Sequence, residues 1–289
     1  QKTYPGAAAN VAYNLLGLGI PKIVPFTVIG DDSEAEILCK FFEGRDAGFD
    51  PVIRSEMRKT FVYEKIYSRG KGTSTPYAQT SRIDRGSYNP LNAQLESMLK
   101  NAIGKNIPLF DTLIVSNYDK GVITQSIQEF ATTSTVNRVI GTARKNTKSL
   151  KGFDLLVLND YETASAYDPE ADQNPGKIED NKIIAYGKQL VDDTKSKRLI
   201  ITRGEFGMVV FEDGKVYHVP TNLKPVVDIT GAGDTTLAAI AAALEVGATL
   251  VEAAKIGNYA GGIVVQKLGT ATASQEEILK EIENDEQLS

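Results

Sequence analysis

The chain has 289 residues, a formal net charge of −5, 42% apolar and 24% charged residues, and one cysteine. Such a length suits one large α/β domain with a small appendage, the acidic balance excludes a basic footprint for nucleic acid, and a lone cysteine excludes an internal disulfide. No apolar run approaches the ~18 residues of a membrane span and no signal peptide is visible, so a reducing, cytoplasmic setting is expected.

In chain order, residues 7–18 read as a helix, 22–29 as a strand, and 33–47 as a helix that carries Cys39 as a small core residue. Residues 60–67 and 77–83 read as strands joined by Ser68-Arg69-Gly70-Lys71-Gly72-Thr73. This hairpin, within residues 58–86, is expected to stand off the body as a small β lid. Strands and helices then alternate: helix 90–102, strand 112–116, helix 124–134, strands 138–141 and 155–158, helices 161–167 and 178–194, strand 199–202. Asp213-Gly214 joins strands 208–212 and 215–219 in a hairpin. Helices 235–245, 250–267 and 275–284 complete the chain, and the polar stretch 168–180 reads as a surface loop. The rhythm predicts a single domain over residues 1–289, with a mainly parallel sheet covered by helices on both faces.

The most informative stretch is Val227-Asp228-Ile229-Thr230-Gly231-Ala232-Gly233-Asp234-Thr235, a glycine turn running into a buried apolar helix. Backbone amides of Gly231, Ala232 and Gly233 at a helix N-terminus form an anion site. Asp234 beside it reads either as a base that takes a proton from a hydroxyl or as a carboxylate that complements the helix dipole. In open parallel sheets ligands bind beyond the carboxyl ends of the strands, where several other candidates fall. Asn159 and Glu162 are one helical turn apart and read either as oxygen ligands for hydrated magnesium or as a capping box. Thr202-Arg203-Gly204-Glu205-Phe206-Gly207 offers close backbone approach to a flat or phosphorylated ligand, or a plain turn, and Asn258 lies among small residues that wall an adenine or pack helices. Asn10, with Asn14 on the same helix face, points at a sugar hydroxyl or a backbone cap. In Ser116-Asn117-Tyr118-Asp119-Lys120-Gly121, Asp119 and Lys120 are placed to reach a phosphorylated or hydroxylated substrate or to form a solvated turn. The chain has no Gly-x-x-x-x-Gly-Lys-Ser/Thr loop, no Cys/His cluster for zinc, and a single histidine, His218, within a hairpin strand, which argues against Ser-His-Asp and Cys-His catalysis.

Gly231-Ala232-Gly233-Asp234 after Asp228, Pro5-Gly6-Ala7-Ala8-Ala9-Asn10-Val11-Ala12, and Asn159-x-x-Glu162 together resemble, in order and spacing, the signatures of the ribokinase-like (PfkB) carbohydrate kinases. Ser116-Asn117-Tyr118-Asp119-Lys120-Gly121-Val122-Ile123-Thr124, Lys267-Leu268-Gly269-Thr270-Ala271-Thr272 and Thr80-Ser81-Arg82-Ile83-Asp84 resemble, within that family, the kinase domain of the bifunctional ADP-heptose synthesis enzymes. The resemblance implies a three-layer α/β/α fold and ATP- and Mg2+-dependent phosphorylation of D-glycero-D-manno-heptose 7-phosphate at its anomeric hydroxyl. It implies Asp234 as base with Gly231, Ala232 and Gly233 as anion hole, and Asn159 and Glu162 at the metal. Thr202, Gly204, Asp228 and Asn258 would then line the nucleotide site; Gly6, Ala7, Asn10 and Lys120 would line the sugar site. A homodimer through the lid is a further implication. A phosphosugar needs basic residues in its pocket, and Lys65, Arg82, Arg85 and Lys120 each read either as such a residue or as a solvated surface charge.

The chain departs from the resemblance at three places. Gly6-Ala7 stands for a glycine pair and Gly141-Thr142-Ala143 for Asp-Pro-Lys. The family's first strand, with a sugar-binding aspartate, would precede Gln1. A kinase for fructose, ribose, a nucleoside or another sugar phosphate, and a non-catalytic nucleotide or sugar sensor of the same fold, are the alternative readings.

Overall fold

A computed structural model describes residues 2–44, 47–48, 52–68, 78–171, 177–221 and 224–286. Six strands form the central sheet: β5 (Thr112–Asn117), β6 (Arg138–Ala143), β7 (Leu155–Asn159), β8 (Arg198–Thr202), β9 (Met208–Glu212) and β10 (Lys215–Val219). Their spatial order is β10-β9-β8-β7-β6-β5. Strands β5 to β8 run parallel, and β9 and β10 fold back antiparallel about Asp213-Gly214.

Apolar residues on both faces of these strands dictate two helical layers. Leu155, Val157, Ile200, Met208 and Val210 face one layer, built from α1 (Ala8–Gly17), α7 (Ala232–Glu245) and α8 (Leu250–Val264). Leu156, Leu158, Leu199, Ile201, Val209 and Phe211 face the other, where Ala131 of α4 (Gln125–Thr132), Ala164 of α5 (Asp160–Ala164), and Ile183 and Leu190 of α6 (Asp180–Thr194) pack. The expected three layers are therefore formed. Helix α7 is buried from Thr235 to Leu244 apart from Ala242, as its apolar run requires. Gly141 is set by packing: a Cβ there would lie 2.6 Å from the Phe153 ring, so the acid expected at this position has no room.

The remaining elements depart more from the sequence reading. Residues 22–29 are not one strand: only β1 (Val28–Gly30) is regular, and Ile23 forms an isolated bridge with Ala47. Pro25, which has no N–H, interrupts the pairing. Strand β1 pairs in parallel with β2 (Ile53–Ser55), a three-residue strand absent from the reading. Helix α2 (Ser33–Lys40) stops at a turn through Gly44 instead of running to residue 47. Helix α3 (Ala93–Asn106) begins at its Asn92 cap and α9 (Gln275–Glu286) closes the described chain.

The lid is a two-stranded antiparallel ribbon, β3 (Val62–Ser68) and β4 (Ala78–Arg85), in separate pairing from the main sheet. Its connecting loop lies outside the described residues, as does the middle of the polar insertion, 172–176. Among the described residues, β1 pairs with β2 and β5 with β6, and an apolar cavity of about 390 Å³ lies between β1 and β5, lined by Val11, Phe26, Val28, Leu113 and Val115 among others. The aspartate-bearing strand expected from the resemblance has no counterpart among the described residues.

Candidate active site

The carboxyl ends of β5 to β8 and the N-terminus of α7 converge on one region. Gly231 caps α7 with φ 83°, a left-handed conformation glycine adopts without strain. Thr235 N donates to Gly231 O at 3.0 Å, and Ala232 N donates to Ile229 O at 3.2 Å. The amides of Gly233 and Asp234 find no acceptor among the described residues. A methyl added at Gly233 would meet no atom within 4 Å, so the space over these two donors is open. Of the three amides the sequence reading named, that of Ala232 closes the preceding turn, while those of Gly231 and Gly233, like that of Asp234, find no acceptor among the described residues.

Asp234 is recessed and held from two sides. Its Oδ2 accepts from Asn10 Nδ2 at 2.8 Å and its Oδ1 accepts from the Tyr118 hydroxyl. Burial pushes the carboxyl above the usual carboxylate range, while these two bonds and the nearby Arg144 charge oppose that rise. The Asn10 amide therefore points at the acid and not at a backbone cap. Its own orientation is fixed: Asn14 Nδ2 donates to Asn10 Oδ1 at 3.2 Å, and Thr235 Oγ1 donates to Asn14 Oδ1 at 2.8 Å. All three of these polar residues are buried. Sequence reasoning paired Asn10 with Asn14 by helical spacing but missed Tyr118 and Arg144, which leave the ends of β5 and β6.

The capping box at α5 is formed. Asn159 Oδ1 accepts from Glu162 N at 2.6 Å and Glu162 Oε2 accepts from Asn159 N at 2.9 Å. Glu162 Oε1 accepts no hydrogen bond among the described residues, and burial pushes the Glu162 carboxyl up to about 7. A recessed carboxylate with one free oxygen and an ionisation penalty fits a hydrated magnesium ion that takes its other ligands from water and phosphates. The Asn159 oxygen takes part in the cap, which orients Glu162. No group of three or more His, Cys, Asp or Glu side chains suited to a metal occurs among the described residues.

Thr202 pairs with Asn159 across β7 and β8, which puts it on the same edge of the sheet. Gly204, at φ 55°, opens the next turn, closed by the Arg203 N to Gly207 O bond. Asn258 Nδ2 donates to Pro220 O at 2.9 Å. Asp228 accepts from Thr230 N at 2.9 Å and Gly269 N at 3.0 Å, so both oxygens serve to pin the loop before α7.

On the sugar side, Gly6 lies beneath the lid, with Tyr63 Cδ2 3.7 Å from where a Cβ would sit. Ala7 adopts φ 52° and ψ −134°, a region populated essentially by glycine. Lys120 sits in a cage of rings: Nζ is 4.0 Å from Phe61, 4.4 Å from Tyr88 and 5.5 Å from Tyr63. Asp119 turns the loop at φ 55° with its N–H on Asn117 Oδ1. Lys65 reaches from the lid to Thr230 Oγ1 at 2.6 Å, one residue before the α7 cap. Burial lowers the Lys65 ammonium from its usual range, with Arg82 and Arg144 adding to that effect. Arg82 lies 4.6 Å over the Tyr63 ring and pairs with Asp84. Arg85 instead pairs with Glu34 and Glu64.

A family model, "pfkB family carbohydrate kinase", matches residues 1–277. The chain belongs to the pfkB family of carbohydrate kinases. It is 35% identical over 283 residues to "Bifunctional protein HldE" of Trichlorobacter lovleyi and 31% identical over 279 residues to that of Paramagnetospirillum magneticum. Each alignment covers 95% of this chain and 54% of the relative, so the chain spans about half the length of these curated relatives. Among solved structures, phosphofructokinase-2 from Escherichia coli in its tetrameric inhibited form superposes with TM-score 0.73 at 15% identity, covering 95% of this chain and 85% of the other. Arabidopsis thaliana ribokinase complexed with ribose and ATP superposes with TM-score 0.70 at 18% identity, covering 94% and 85%. These likenesses show the ribokinase-like fold of this pfkB kinase.

Proposed function

We propose that this pfkB kinase transfers the terminal phosphoryl group of ATP to a hydroxyl of a sugar phosphate, with D-glycero-D-manno-heptose 7-phosphate, phosphorylated at the anomeric position, as the substrate. The observation that carries the reading is Asp234, recessed beside two unpaired amides that open onto free space. A hydroxyl seated on the carboxylate gives up its proton to Asp234, and the Gly233 and Asp234 amides receive charge developing on the transferred group. Glu162, oriented by Asn159, would hold magnesium, whose charge offsets that of the phosphates. Thr202, Gly204 and Asn258 line the nucleotide side of this reading, and Gly6, Ala7 and Asn10 the sugar side.

A phosphosugar is favoured over a neutral sugar by cations above the site. Burial lowers the Lys65 ammonium first, and Arg82 and Arg144 add to that while Asp228 and Asp84 oppose it, so three cations gather above the site. The HldE relatives favour heptose among phosphosugars. A homodimer through the lid is supported by Ile66 and Ile83, both about half exposed on its outer face. A cytoplasmic setting is in keeping with the lone cysteine; no helix among the described residues is long and apolar enough to cross a membrane.

The test is a panel of heptose 7-phosphate, fructose 6-phosphate, ribose, fructose and adenosine, each with ATP and magnesium and coupled detection of ADP. Fastest turnover on the heptose phosphate is expected. Faster turnover on a neutral sugar overturns the phosphosugar reading, and nucleotide binding without turnover on any member favours a sensor.

A further inference from the structure

Asp234 has two oxygens and four acceptor positions. Asn10 occupies one position on Oδ2 and Tyr118 one on Oδ1, which leaves a position on each oxygen for an incoming hydroxyl. The two donors differ in origin. Asn10 belongs to a buried relay through Asn14 to Thr235, so it is fixed by α1 and α7. Tyr118 arrives from the other side, on the loop that leaves β5. That loop is preset: Asp119 N is tied to Asn117 Oδ1 at 2.9 Å, and at Gly121, φ 74°, a Cβ would fall 2.1 Å from Asn89 O. The Arg144 guanidinium lies 4.9 Å over the Tyr118 ring. The ring therefore has little freedom to swing off the acid.

We propose that Tyr118 is a positioning residue for Asp234: its phenol O–H, opposite the Asn10 amide, fixes the carboxylate's rotation and holds it ionised to receive a hydroxyl proton. The inference rests on the reading of Asp234 as the base. Burial and the Asp234 charge keep the Tyr118 phenol protonated far above neutral pH, so it remains a donor throughout the working range. The charged groups that act on this carboxylate are Arg144, which favours its ionised form, and Glu162, to which it is electrostatically coupled. Neither donates a hydrogen bond to it among the described residues, so the two donors do the orienting.

The test compares Tyr118→Phe with a fluorinated tyrosine, a stronger hydrogen-bond donor, introduced at residue 118. The readouts are the acid limb of turnover against pH and the titration of the Asp234 carboxyl followed by carbon NMR, assigned with Asp234→Asn. Loss of one hydrogen bond to a carboxylate moves its titration by about one pH unit. Tyr118→Phe is expected to move both readouts upward by about that amount, and the fluorinated residue to move both downward. No shift in either variant, or shifts of the same sign, overturns the proposal. If the Phe variant fails to fold, the direction seen with the fluorinated residue decides alone. The carbon titration needs no substrate, so it separates failure of this inference from failure of the kinase reading.

Discussion

Replacing Glu162 with Gln separates what this side chain does for the fold from what it does for a ligand. Glutamine keeps an oxygen to accept the Asn159 N–H, so the capping box survives in outline. Burial pushes the folded carboxyl up to about 7 from its ordinary value of 4.5. A raised acid stabilises the folded state fully below the unfolded pKa, and that contribution is lost as pH rises through the folded pKa. The upward displacement corresponds to a loss of at most about 3 kcal/mol, absent near pH 4 and complete near pH 8. Removing a negative charge from the first turn of α5 costs roughly 0.3–1 kcal/mol in return. Glu162→Gln is thus expected to match the wild type in acid and to exceed it by about 2 kcal/mol at alkaline pH, roughly 4–8 °C in Tm. The assay is urea unfolding of both proteins between about pH 4 and pH 8.5 without nucleotide or metal. Other groups titrate alike in both, so the difference isolates this one. Magnesium with ATP is expected to protect the wild type far more than the variant. A variant whose stability difference is flat across pH, or that loses stability in alkali, refutes the buried-acid account.

Two backbone positions give further expectations. Ala7→Gly relieves a conformation costing on the order of 1–3 kcal/mol and loses about 0.5–1 kcal/mol to unfolded-state entropy, so a net gain of about 1 kcal/mol in urea unfolding is expected; a loss shows that the strain is not there. Gly231→Ala places a methyl 2.6 Å from Asn10 Nδ2 in a left-handed cap, so a loss of at least about 1–2 kcal/mol and a tenfold or greater fall in turnover are expected; full activity contradicts the placement of Asn10 against Asp234.

The parallel strands and the long helices were legible because each carries an apolar run of the right length, such as Leu155–Leu158 in β7 and Leu237–Leu244 in α7. Strand β2 was not, because three residues, two half-buried on either side of an exposed Arg54, are too short a run for an alternation to be recognised. Residues 22–29 misled because apolar content says nothing of the donor that Pro25 lacks. In the site, the glycine turn and Asp234 were legible from composition and spacing alone. Tyr118 was not: it lies in a stretch that was read for its charges, yet Asp119 is spent on the turn and Lys120 on a ring cage, and the residue that reaches the acid is the neutral one between strand and turn. Which of three adjacent side chains points into a site depends on the positive φ at residue 119, which no local pattern announces. The same holds for Asp228, whose backbone bonds to Thr230 and Gly269 depend on a loop 41 residues away.

The most direct measurement is the turnover of Asp234→Asn beside wild type with ATP, magnesium and heptose 7-phosphate, together with ATP affinity by calorimetry. The amide keeps the acid's shape and cannot take the hydroxyl's proton, so turnover is expected to fall by at least about 10²-fold while ATP affinity changes little. Turnover within a few-fold of wild type would show that the hydroxyl loses its proton elsewhere and would contradict the role given to Asp234.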